Sequence, residues 1–221
     1  MNVSDALKHR KSIRAFLDKP VSNELIKTLL ETAKWSPSGV NMQPWDVCVV
    51  QGNAKKGLES AVIQAYNEEK KEAMDYTYYP LIWKEPYKSR RKETGLLMYQ
   101  TLNISREDKE QQRAQWKANY RAFDAPVVLY FFIDKNLEKG SYLDYGMFLQ
   151  SIMLCALELG LGTCPQAALA EFPQTVKSFL GVDESKVLVC GIALGYEDNT
   201  ALINSYKTSR IPLGDFVHFY D

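Results

Sequence analysis

Three short apolar runs, Trp45 to Val50, Val127 to Ile133 and Lys186 to Leu194, are spread through a chain whose remaining length is mostly patterned for helix. Runs of this length that are β-branched and apolar on both faces read as covered strands. The first, entered from Pro44 and closed by Gly52-Asn53, is therefore expected inside the sheet and not at its edge. The second, introduced by Pro126, and the third, with Gly191 inside it, are expected at the centre.

Helices are expected between and around these strands. A short one lies around Val3 to His9. Ser22 caps a second, with Leu25, Ile26, Leu29, Leu30 and Ala33 at helical spacing, ending near Trp35-Ser36-Pro37. Asn53 to Ala73 reads as a long polar helix, and Ser105 with Asp108 resembles a capping box for another through Tyr120. Ser141 caps a helix from Tyr142 to Leu159 that stops at Gly160 and, being apolar nearly all round, is expected to be buried. A last helix follows Pro173 and ends at Gly181. The class is α/β (α+β): a mixed central sheet with helices on both faces, one domain over residues 1–221, with no linker and no repeat. At 221 residues the chain buries a sizeable core unaided.

Residues 72–123 depart from that plan, mixing Tyr76, Tyr78, Tyr79, Trp83, Tyr87, Tyr99, Trp116 and Tyr120 with charge. Two readings are open and compatible: a helical cap packed on the sheet, or a cover over a ligand.

Lys plus Arg and Asp plus Glu each total 27, so no global positive field steers the chain toward nucleic acid. Arg90, Arg91 and Lys92 among aromatics are the one feature that points the other way. Cys48, Cys155, Cys164 and Cys190 lie far apart, without zinc-ligand spacing or a disulfide framework, which fits a reducing, cytoplasmic setting and no metal. The most apolar stretch, Met147 to Leu161, is broken by Gln150 and Glu158, so no membrane span is expected.

Arg10-Lys11-Ser12-Ile13-Arg14 gathers three cations and a hydroxyl in five residues. Guanidinium forks grip phosphate oxygens, and in an extended strip Arg10, Ser12 and Arg14 face one way. A solvated basic surface explains the strip as well. Pro37, Ser38, Gly39 and Asn41 belong to a loop through Trp45 that is rich in turn residues and amides, suited to a ligand's polar edge or to turn chemistry alone. Gly160 to Ala168 joins a buried helix to a loop of small residues with accessible backbone N–H groups. No Gly-x-Gly-x-x-Gly turn, Walker-type loop or hydrolase triad is present, and His9 and His218 read as structural.

Together, the Arg10-to-Arg14 strip, the Pro37-to-Trp45 loop, Gly160 to Gln166, Gly191 to Gly195 followed by Tyr196, and Arg210-Ile211-Pro212-Leu213 resemble, in order, the FMN-dependent nitroreductases. The segment Trp83 to Arg91 is similar to the insertion of the nitrobenzoate and nitrophenol reductase branch. The resemblance implies a nitroreductase-like fold and a homodimer with FMN at its interface, a lid from about residues 72–123 and an exchanged tail over 211–221. It implies that Arg10, Ser12 and Arg210, with Lys11 in the same strip, hold the FMN phosphate and that Arg14 stands beside the flavin pyrimidine, where a cation favours hydride acceptance. Pro37, Ser38, Gly39 and Asn41 would come from the partner. Pro165 and Gln166 would shape a loop whose Ala167 and Ala168 amides face the flavin. Two departures stand out: Thr208 occupies the place where many members have Lys, leaving Lys207 nearby, and Asn67 is the one candidate for an Asn used against the ring.

The implied activity is ping-pong hydride transfer, from NADH or NADPH to flavin N5 and then to a nitroaromatic or quinone-like acceptor. The cofactor carries the chemistry and no side chain is a catalytic residue. Trp83, Arg90, Arg91 and Tyr120 are candidate contacts to a small aromatic acceptor. A dehalogenase or flavin-cleaving enzyme of the same superfamily, or a flavin-binding protein without turnover, would share the FMN motifs.

Overall fold

The computed structural model describes residues 1–70 and 72–221. Eleven regular elements are described. In chain order they run α1 (Val3–His9), α2 (Asn23–Ala33), β1 (Asp46–Gln51), α3 (Gly52–Asn67), α4 (Tyr87–Thr101), α5 (Lys109–Lys117), β2 (Val127–Asp134), α6 (Lys139–Glu158), β3 (Gly162–Gln166), α7 (Pro173–Leu180) and β4 (Lys186–Gly195).

The four strands form one sheet in the order β1-β2-β4-β3, and all three pairings are antiparallel. Among the described residues the bridge between Ser12 and Thr163 is the one parallel pairing. The two runs expected at the centre, β2 and β4, are there. β1 is an edge strand, against expectation. Its apolar residues cover both faces, Trp45 stacking on Phe148 at 4.7 Å and Val50 sitting in the opposite cluster, but covered faces say nothing about whether the outer hydrogen-bonding edge is paired. Tyr145 clamps this strand's start: its hydroxyl accepts from the Asp46 N–H at 3.0 Å and donates to the Phe132 carbonyl at 2.6 Å.

The period of two along β2 divides the core. Val127, Leu129, Phe131 and Ile133 face a layer containing α2 and α6, while Val128, Tyr130 and Phe132 face α3 and α7. Each such fully buried side chain contributes roughly 1.5–3 kcal/mol of apolar transfer. Ser22 caps α2, its Oγ accepting from Leu25 N at 3.2 Å. α7 opens on Pro173 and closes on Gly181 in the left-handed conformation, as the sequence predicts.

Four further elements differ from expectation. α6 begins at Lys139, leaving Ser141 buried within it, and its apolar surface is divided: Phe148 and Ile152 are in the core, whereas Leu143 is 74% exposed. α3 ends at Asn67 instead of Ala73; Lys71, inside the expected stretch, lies outside the described residues. Asp108 itself, not Ser105, is the N-cap of α5 and accepts from Gln111 N at 3.0 Å. β3 stands where a loop was expected, because Gly162 and Pro165 are poor strand formers that an edge position tolerates.

Residues 72–123 form a largely helical excursion, α4 and α5 followed by a 3-10 turn over Ala118–Asp124. Its base is anchored by Tyr76, whose hydroxyl donates to the Val189 carbonyl at 2.7 Å. Among the described residues no helix is long and apolar enough to cross a membrane.

Candidate functional site

The basic strip leaves α1 at Arg10 and runs extended along β3. Ile13 N donates to the Thr163 carbonyl at 2.9 Å, and the Ile13 side chain turns inward onto Gly162, where a Cβ would lie 2.7 Å from Ile13 Cγ1. Glycine is required there for the strip to seat. With Ile13 pointing in, Arg10, Ser12 and Arg14 converge on the Cys164 thiol. Burial pushes that thiol's pKa up, while Arg14, a hydrogen bond with Ser12 and Arg10 all pull it down. Cys164, in a stretch that reads from sequence as a loop, is buried in β3 next to the strip.

Arg210 arrives from the far end of the chain and lies close enough to Arg10 to lower its pKa, together with the larger effect of burial. Neither guanidinium has a carboxylate partner among the described residues, and Arg210 donates only to Thr208 and to the Ser209 carbonyl. Two guanidiniums near one another, neither with a carboxylate partner among the described residues, are the donor chemistry that a dianion such as a phosphate takes. Lys11 turns away from it, pairing with Glu197 at 2.8 Å and donating to the Asn204 carbonyl. Lys207 donates to the Lys8 carbonyl at the end of α1, and Asn67 accepts from Lys117 at 2.8 Å.

Asn204, which the sequence reading passed over, is the clasp of this corner. It is buried, its Oδ1 accepts from Arg14 N at 2.8 Å, and its Nδ2 donates to the carbonyls of Ala15 and Asp198. The Arg14 guanidinium then donates to the Tyr206 hydroxyl at 2.9 Å.

Arg14 lines a cleft of about 640 Å³ together with Arg91, Tyr99, Trp116, Phe123 and Tyr206, with Lys88 and Lys92 also on its wall. Among the described residues no Asp or Glu lines it. The excursion therefore forms one wall of a cationic, aromatic cleft that reaches the basic strip. Of the four acceptor candidates, only Arg91 is on that wall. Trp83 lies beneath the Arg91 guanidinium at 5.0 Å, Arg90 covers Tyr87 at 5.9 Å, and Tyr120 is 2% exposed in the core.

Gln166 ends β3 buried, its Nε2 donating to Asn119 and its Oε1 without a partner among the described residues. An orphaned buried acceptor marks a place a ligand donor can satisfy. Ala167 and Ala168, both half-buried, head a 3-10 turn whose N-terminus no side chain caps. Pro165 is exposed beside them. The donor set fits FMN: a two-guanidinium phosphate cradle, backbone amides, and a polar edge partner.

The Pro37-to-Asn41 loop is elsewhere. Val40, Asn41 and Gln43 adopt positive φ, Ser38 Oγ accepts from Gln43 N at 2.9 Å, and Gly39 N donates to Asp144 on α6 at 3.1 Å. Within one chain these residues do not share the cleft of Arg14. They project Val40, 96% exposed, into solvent.

Residues 7–196 match the model of a family described as the nitroreductase family. The chain is 39% identical over 210 residues to a 4-nitrobenzoate reductase of Pseudomonas putida, covering 95% of this chain and 92% of that one. It is similar over the full length of both chains to an FMN- and NADPH-dependent nitroreductase from Sphigopyxis sp. strain HMH, with a TM-score of 0.97 and 35% identity. An FMN-dependent nitroreductase from Mycobacterium smegmatis in complex with NADPH gives a TM-score of 0.93 at 31% identity, again with complete coverage of both chains.

Proposed function

Since the chain belongs to the nitroreductase family, we propose that it is an FMN-dependent NAD(P)H oxidoreductase that reduces nitroaromatic or quinone-like acceptors. The observation that carries this reading is the pair Arg10 and Arg210, two guanidiniums from opposite ends of the chain close enough to interact, neither of which has a carboxylate partner among the described residues. The chemistry supplied by bound FMN is two-electron transfer from a reduced nicotinamide to the acceptor in alternating visits to one face.

The chain's own residues do the rest. Arg10, Ser12 and Arg210 hold the phosphate, and Arg14, fixed by Asn204 and Tyr206, supplies a positive charge at the flavin's pyrimidine edge. Amides of Ala167 and Ala168 and the free Gln166 Oε1 orient the ring. Tyr99, Trp116 and Phe123 offer stacking area to a flat acceptor and narrow the space left to water. Arg91 on the same wall favours an acceptor that bears a carboxylate.

The reading extends to a homodimer in a reducing compartment. Leu143, Met147 and Val40 stay exposed in one protomer, as does the aromatic tail Phe216 to Tyr220, and β1 leaves an edge open. In the dimer the loop of Ser38 and Asn41 completes the partner's FMN site and the tail lies on the partner's sheet edge. Purified protein is expected to be yellow, to oxidise NADPH or NADH with 4-nitrobenzoate as acceptor, and to hold about one FMN per chain. Flavin without turnover on any acceptor would reduce it to a flavin-binding protein, and turnover confined to halogenated aromatics would make it a dehalogenase.

A further inference from the structure

Two hydrogen-bonded clasps join the cleft wall to the stretch 166–171. Gln166 Nε2 donates to Asn119, to the carbonyl at 3.1 Å and to Oδ1 at 3.2 Å. Five residues on, Glu171 Oε2 accepts from the Tyr120 hydroxyl at 2.6 Å, and that same hydroxyl accepts from Trp116 Nε1 at 3.1 Å. A hydroxyl has one proton. While it goes to Glu171, the oxygen presents a lone pair to the indole N–H, so the carboxylate dictates the direction of the second bond.

The chain crosses from the core to the cleft. Tyr120 is buried and packed between Tyr66 and Phe172 at 5.0 and 5.5 Å, whereas Trp116 is 48% exposed and lines the cleft. Among the described residues Tyr120 is the indole N–H's only hydrogen-bond partner. The backbone beyond it is held out of the usual regions, with Ala122, Phe123 and Asp124 all at positive φ and Arg121 bound to Asp124 at 2.9 Å. Consecutive left-handed residues persist only where surrounding contacts enforce them. The wall Trp116, Asn119 and Phe123 is thus built rigid, and Glu171 lies three residues past Ala168 on the stretch that faces the flavin in the reading above.

We infer that Glu171 is a positioning residue for acceptor recognition, fixing the Trp116 indole through Tyr120 and so setting the gap between the aromatic wall and the flavin-facing stretch 166–168. The inference rests on the functional reading for the identity of what fills the gap, but not for the coupling itself.

The test uses holoenzyme and benzoate, a redox-inert aromatic acid, titrated by the change in the flavin spectrum and by the tryptophan emission difference between wild type and W116F. Losing a part-buried hydrogen bond that holds the indole is expected to weaken benzoate about tenfold in Tyr120→Phe and in Glu171→Ala. The double variant is expected to be no weaker than either single one. Glu171→Gln, whose amide oxygen still accepts from Tyr120, is expected to retain wild-type affinity, and in a W116F background Glu171→Ala should add nothing. FMN content should be unchanged throughout. A merely structural role would lower melting temperatures in Y120F and E171A while leaving benzoate affinity at the wild-type value, and that result, or additive losses, would overturn the inference. Protein that holds no flavin would count against the functional reading alone, because the emission difference still reports the wall.

Discussion

The Arg14 guanidinium donates to the Tyr206 hydroxyl at 2.9 Å, joining the basic strip to a residue 192 positions later in the chain. That bond holds a cation at the head of the cleft, with Phe123 5.9 Å below it. Removing the charge in Arg14→Ala should make the two-electron midpoint potential of bound FMN more negative by on the order of 30 mV, equivalent to about 1.4 kcal/mol. Tyr206→Phe keeps the cation and should shift the potential less. Spectroelectrochemical titration checks both, and an unchanged potential in Arg14→Ala would remove Arg14 from the flavin's edge.

Recognition of an acidic acceptor should separate the two neighbouring arginines. Arg91 lines the cleft and Arg90 does not. Arg91→Ala should lower kcat/KM for 4-nitrobenzoate by roughly tenfold or more, the value of a charged hydrogen bond, and leave nitrobenzene within about twofold. Arg90→Ala should match wild type on both. Equal losses on the two substrates would mean that the wall does not read a carboxylate.

Glu72 makes stability depend on acid. Its carboxylate, with no exposed side-chain area, pairs with Lys70 and accepts from Gln174 N at 2.8 Å, Thr175 N at 3.1 Å and Thr175 Oγ1 at 2.6 Å, so it caps α7 from across the fold. Burial alone would raise its pKa, but the hydrogen bonds from Thr175, Lys70 and the helix N-terminus outweigh burial and bring it below the ordinary 4.5. A depressed folded pKa contributes stability above the unfolded value and loses it as pH falls through the folded one. Glu72→Gln should therefore cost about 1 kcal/mol at pH 7, as loss of a cap does, with the gap to wild type closing below about pH 4. A constant gap across pH, measured by urea unfolding, would contradict this.

Much of the fold is legible because strand burial and helix capping are local. The continuous apolar run of β2 and the Pro173 and Gly181 boundaries of α7 come from residues within a few positions of each other. What escaped was set by partners far away. β1 reads as interior because its side chains are apolar, yet edge position depends on which strand pairs with it. Asn204 looks like any loop amide until Arg14 and Ala15 fold against it, and Tyr120 reads from sequence as an acceptor contact, whereas the fold buries it with its hydroxyl donating to Glu171. The strip at residues 10–14 was visible, but not that Lys11 would leave it for Glu197.

The tail predicts assembly. Phe216, Phe219 and Tyr220 are 57, 84 and 91% exposed, a cost in water that a partner surface would relieve. Truncation after Leu213 should convert the dimer to monomer or aggregate in sedimentation velocity and release FMN. A flavin-replete dimer from the truncated chain would show that the tail does not hold the protomers together.

The central claim is that this fold holds FMN through Arg10 and Arg210, and the dissociation constant of FMN tests it most directly. Titration of flavin-stripped protein, followed by flavin fluorescence, should give tight binding in wild type and a constant roughly 10- to 100-fold higher in Arg10→Ala, as expected for loss of a charge-assisted phosphate bond of about 1.5–3 kcal/mol. Arg210→Ala should weaken binding to a similar degree, whereas Lys11→Ala, whose ammonium is committed to Glu197, should not. FMN bound as tightly by Arg10→Ala and Arg210→Ala as by wild type would contradict the account.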